Sequence, residues 1–91
     1  MTASSGEEAL ELSRNCHDRI DILITDIDMG GMSGIELYWH IQEERPETEV
    51  LFISAMAHRI GESLPECPVL QKPFMPRHFV TKVAEVLSMA S

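Results

Sequence analysis

The sequence predicts an α/β domain built on a parallel sheet, and three observations carry that expectation. An apolar run, Ile22-Leu23-Ile24-Thr25, ends in Asp26, a second run ends in Ser54, and a third ends in Lys72-Pro73. Helical spacing of apolar residues separates the runs. Strand, turn and helix in repetition build a parallel sheet whose ligand sites lie beyond the carboxyl ends of the strands. A carboxylate, a hydroxyl and an ammonium are therefore expected to converge on one pocket. Such a trio suits the handling of a phosphoryl group.

Each element has its own signal. Ser5 and Gly6 precede Glu7 and Glu8, acidic residues favoured in a first turn, and Ala9, Leu12 and Cys16 then share a face, which predicts a helix over about 6–16. Asp21 to Thr25 is apolar without alternation, as in a strand covered on both faces. Gly34 to Glu44 reads as a second helix with Ile35, Tyr38 and Ile41 inward and Leu37 beside them, closed by Arg45-Pro46. Val50 to Ile53 is the next strand, Ala55 to Ser63 a short helix, and Val69 to Gln71 a short strand. Pro76 opens a last helix carrying Phe79, Val83, Val86 and Leu87. No linker, repeat or low-complexity tract interrupts this order, so residues 1–91 are expected to form a single domain.

Composition narrows the function. A domain of 91 residues buries about 60–65% of the surface its unfolded chain exposes, which leaves little room for a large cleft. Fifteen acidic residues against seven Lys and Arg give a net charge of −8, and a surface without basic patches cannot displace counterions from nucleic-acid phosphates. A protein partner is expected instead. Cys16 and Cys67 have no metal-ligand spacing and read as reduced thiols. No segment has the length to cross a bilayer, and the first residues lack a signal peptide's basic and apolar regions, so the expectation is a soluble cytoplasmic chain without membrane contact.

In order and spacing, Asp26, Met29, Met32 and Gly34, then Ser54-Ala55, then Lys72-Pro73-Phe74 resemble the receiver domain of bacterial response regulators across essentially the whole chain. The resemblance implies a flavodoxin-like, CheY-like three-layer parallel sheet and a role in two-component phosphorelay, without enzymatic turnover. It implies that Asp26 accepts a phosphoryl group from a sensor histidine kinase or phosphotransfer protein, that Ser54 hydrogen-bonds a phosphoryl oxygen, and that Lys72 pairs with it. Lys72-Pro73 matches the family's cis-proline turn. Asp28 matches a position whose carbonyl binds magnesium and whose side chain tunes dephosphorylation, so Asp26 and Asp28 are the expected Mg2+ residues. The chemistry is coherent by itself: a carboxylate attacks activated phosphorus once the arriving charge is neutralised. Small Ala55 leaves room for the group.

Departures from the family pattern set further expectations. A complete receiver opens with a strand bearing two acidic metal ligands, then a helix and another strand, a unit of about 30 residues. That portion does not precede Met1, so the domain is expected to be partial. Glu7 and Glu8 belong to the approach to the family's second helix and do not replace the acidic pair. Magnesium is thus expected to bind weakly, with most of its shell from water. Ile22-Leu23-Ile24 is expected to be an exposed sheet edge, inviting a partner strand or a dimer. Gly30 stands where the family has proline, and Val69 where it commonly has a switching aromatic residue. Pro65 and Pro68 limit the helix between Ser54 and Lys72.

Plainer readings compete at each position. Asp26, Ser54 and Lys72 could serve only as caps and turn residues, and Asp28 as a solvated carboxylate. His17, His40, His58 and His78 read as surface residues. Met29 and Met32 read as packing for the loop, Tyr38-Trp39 as one core ring and one at the surface, and Cys16 as a core-facing small hydrophobe. Two rival functions are open: an interaction module that has lost phosphotransfer, and a phosphatase of the haloacid dehalogenase kind, which also uses Asp-x-Asp, a strand-end Ser or Thr, and a Lys. The phosphatase needs a later acidic motif, yet Glu85 alone follows Lys72, deep in the last helix.

Overall fold

The computed structural model describes residues 1–28, 32–65 and 67–89. Elements alternate along the chain as β1 (Thr2–Ala3), α1 (Gly6–Asn15), β2 (Ile22–Asp26), α2 (Gly34–Glu44), β3 (Glu49–Ser54), α3 (Ala57–Ser63), β4 (Val69–Gln71) and α4 (Pro76–Met89). The strands form one sheet in the order β1-β2-β3-β4, and every pairing is parallel. This is the α/β parallel-sheet architecture that the repeated strand, turn and helix signals predict, in the CheY-like form that the resemblance implies.

Period-two alternation divides the strands between two cores. Leu23, Val50 and Phe52 face a cluster completed by Ala9, Leu10, Leu37, Ile41 and Leu64 from α1, α2 and the turn after α3. Ile22, Ile24 and Leu51 face the opposite side, where Val86, Phe79 and Val83 of α4 cover them. Apolar side chains on both faces are what a sheet sandwiched by helices requires. Ser5 caps α1 by accepting from the Glu8 N–H at 3.2 Å, and Ser33 caps α2 by accepting from the Glu36 N–H at 3.1 Å.

Four expectations are corrected. The edge of β2 is covered by β1: Thr2 pairs with Ile24 and Ala3 with Thr25, while the Ile24 N–H donates to the Met1 carbonyl at 2.8 Å. Extended backbone beside an unpaired strand satisfies its donors and acceptors, and the first residues do this for β2. In α2, Leu37 and Ile41 are fully buried while Ile35 is exposed, so the inward stripe runs through positions 37 and 41, with Tyr38 partly buried. In α4, Val86 is buried and Leu87 is exposed. The short helix starts at Ala57 rather than Ala55: the backbone at Met56 is non-helical, and the Ala55 carbonyl accepts from the Gln71 amide instead of from a helical N–H.

Other assignments agree in detail. Cys16, Met32 and Tyr38 pack partly buried against the larger core, and Trp39 is 59% exposed. His17, His58 and His78 are exposed, and His40 lies beside Glu44. The expectations for Met29 and Gly30 lie outside the described residues.

Candidate functional site at the carboxyl edge of the sheet

Strand register brings the site residues together. Asp26, the last residue of β2, pairs with Ile53, and Ser54, the last of β3, pairs with Gln71, directly before Lys72. Three strands therefore end at one edge, each delivering a side chain there. The Ile27 N–H donates to the Ile53 carbonyl at 3.2 Å, and the Lys72 N–H to the Ser54 carbonyl at 2.9 Å, so the ladder continues just past the strand ends. The Lys72-Pro73 peptide is cis.

The Lys72 ammonium sits between two carboxylates, hydrogen-bonded to Asp26 Oδ2 and 3.2 Å from Asp28 Oδ2. Asp28 makes further contacts. Its Oδ1 accepts from the Ser54 hydroxyl at 2.8 Å, and its Oδ2 from the Ala55 N–H at 2.7 Å. Its own N–H donates to Asp26 Oδ1 at 2.8 Å, turning the chain back over the strand end. The Ser54 Oγ also accepts from the Met56 N–H at 2.9 Å, which leaves its proton for Asp28. The structure thus joins Asp26, Asp28 and Lys72 directly, and it brings Ser54 to Asp28 instead of to Asp26. Asp28 is no free loop carboxylate.

The electrostatics follow from these contacts. Burial works to raise the Asp28 carboxyl, but hydrogen bonds from Ala55, Ser54 and Lys72 outweigh it and hold the group below its ordinary value. The hydrogen bond to Asp26 raises Lys72 above its ordinary value against the opposing effect of burial, and Asp28 adds to the rise. The ammonium stays charged where an anion would arrive.

A residue that sequence reasoning did not single out braces the site. Gln71 Nε2 donates to the carbonyls of Ala55 and Lys72, each at 2.7 Å, while its Oε1 accepts from the Ala57 N–H at 3.1 Å. This amide ties the turn after β3 to the end of β4. Its only signal in the sequence is its place before Lys72. Behind β2, the buried Thr25 hydroxyl donates to the Ser5 carbonyl at 3.1 Å, fixing the start of α1 against the strand.

The donor set does not fit a tight magnesium cage. Each carboxylate oxygen of Asp26 and Asp28 already accepts a hydrogen bond. Glu7 accepts from the Met32 N–H and Glu8 from the Ser4 hydroxyl, so neither supplies a metal oxygen beside Asp26. Among the described residues, no group of three acidic, His or Cys side chains gathers. None of the described helices is long and apolar enough to cross a membrane.

Comparison with known proteins gives a consistent result. The family model of the response regulator receiver domain matches residues 1–84. The chain is 32% identical over 89 residues to a sensor kinase, CckA, of Brucella abortus, covering 93% of this chain and 9% of that protein. Among solved structures, a response regulator receiver protein from Sinorhizobium medicae superposes with a TM-score of 0.76 at 26% identity, covering 100% of this chain and 75% of that one. A receiver domain protein from Clostridium thermocellum superposes with a TM-score of 0.73 at 24% identity, covering 98% of this chain and 74% of that one, and supports the fold.

Proposed function

Since the chain belongs to the response regulator receiver domain family of two-component signalling, we propose that Asp26 accepts a phosphoryl group from a sensor histidine kinase or a phosphotransfer protein. One observation carries this reading: the Lys72 ammonium joins Asp26 and Asp28 at the carboxyl edge of the sheet, with the Ser54 hydroxyl and the Ala55 N–H alongside. An Asp26 oxygen attacks phosphorus, the P–N bond to the donor's imidazole breaks with its electron pair going to the ring nitrogen, and an acyl phosphate forms. Lys72 offsets the arriving charge, while Ser54 and Ala55 supply neutral donors.

Asp26 and Asp28 are the carboxylates the described site offers a divalent cation, and their existing hydrogen bonds make binding weak. The phosphorylated chain signals through contact with an output protein in the cytoplasm, as a module without turnover of its own. Intact-mass spectrometry after incubation with acetyl phosphate, with and without magnesium, tests the central step. The expected result is one added phosphoryl mass that is absent from Asp26→Asn. A folded sample that never gains this mass would overturn the proposal in favour of an interaction module without phosphotransfer.

A further inference from the structure

The donors that surround Asp28 come from parts of the molecule that the sheet holds in place. Ser54 ends β3, Ala55 follows it, and Lys72 follows β4, whereas Asp28 belongs to the loop after β2. Ser54, Ala55 and Lys72 aim their protons at one carboxylate, at 2.8, 2.7 and 3.2 Å, and both of its oxygens are used. A hydroxyl, a backbone amide and an ammonium around an oxyanion form a set of charge-assisted contacts that does not depend on which oxyanion is present.

We propose that the Asp28 carboxylate is a built-in occupant of the oxyanion seat beside Asp26, and that it must leave before a phosphoryl group can be held there. This rests on the phosphoacceptor reading of Asp26. Donor counting makes the occupancy exclusive. The Ser54 hydroxyl and the Ala55 amide each have a single proton, so each serves Asp28 or the incoming oxygen, while Lys72 has three protons and can serve both. Two further features hold Asp28 in place. Its backbone N–H is tied to Asp26 Oδ1, and the Met56 N–H turns the Ser54 proton toward it. A phosphoryl dianion on Asp26 repels the neighbouring carboxylate as it takes the donors, so transfer and ejection of Asp28 are one exchange.

Titration of wild type, Asp28→Ala and Asp28→Asn with inorganic phosphate in magnesium-free buffer, read from the Ala55 amide resonance, isolates the seat from metal binding and from chemistry. A seat that Asp28 fills about nine-tenths of the time weakens apparent affinity about ten-fold, so both variants are expected to bind phosphate about ten-fold more tightly than wild type. The same variants are expected to gain mass from acetyl phosphate faster than wild type with magnesium in excess. Unchanged or weaker phosphate binding in both variants, with dispersed spectra showing them folded, overturns the gate even where wild type is phosphorylated. Tighter phosphate binding without covalent adduct in any of the three chains supports the occupied seat and overturns the phosphoacceptor reading instead.

Discussion

Lys72 shows how much a single charge decides at this site. Its ammonium lies between two carboxylates, and its removal leaves Asp26 and Asp28 as neighbouring like charges. Lys72→Ala is expected to abolish the acetyl phosphate adduct while raising the Asp28 carboxyl pKa, from which Lys72 removes one of the lowering contacts, measurable by side-chain carboxyl NMR titration. The wild-type site also sets a pH dependence. Asp28 is held below its ordinary value of 3.8, so its stabilising contribution is present above that value and is lost as pH falls through the folded-state pKa. Wild type is therefore expected to lose its margin of thermal stability over Asp28→Asn as pH is lowered from about 5 to about 2. Lys72 has the opposite sign: its contribution is present below 10.5 and is lost as pH rises through its elevated pKa.

At the scale of elements, the join between α1 and α2 rests on Arg45, the residue that caps α2. Its guanidinium reaches across to the end of α1 and the turn after it, donating to the Ser13 carbonyl at 2.8 and 3.2 Å, to the Asp18 carbonyl at 3.0 Å, and to the Cys16 carbonyl. The last carbonyls of a helix have no partner within it, and a planar fork of donors satisfies several at once. Arg45→Ala is expected to lower stability by about 1.5–3 kcal/mol in a urea melt, the range for hydrogen bonds to charged groups. Arg45→Lys is expected to recover only part of that loss, since an ammonium does not span the same carbonyls. In the sequence Arg45-Pro46 is only a helix stop, and nothing local in the chain shows where such a long side chain will reach.

At the scale of the whole molecule, charge and layering separate what the surface does from what the core does. The net charge of −8 makes contact with duplex DNA unfavourable, and fluorescence anisotropy at about 0.15 M salt is expected to show no binding. The layers leave two thiols in different settings. Burial pushes the Cys67 thiol up to about 12, and it lies 6% exposed in the larger core, whereas Cys16 is only partly buried. Alkylation followed by peptide mass mapping is expected to find Cys16 modified well before Cys67.

The sequence by itself determined the fold class and the residues at the ends of β2, β3 and β4, because unalternating apolar runs and helical spacing are local and each of those runs is followed by a polar residue. It also placed α2 at Gly34 to Glu44, with Arg45-Pro46 as its stop. Only the tertiary structure decided that β1 covers β2, that Ile35 faces outward while Leu37 faces inward, and that Gln71 braces the turn after β3. It also decided that Ser54 answers to Asp28. Each of these depends on groups between 14 and 26 residues apart or on which side of a helix meets the sheet. The physical reason is that hydrogen-bond partners and buried faces are settled when the layers close on one another, and the local pattern leaves them open.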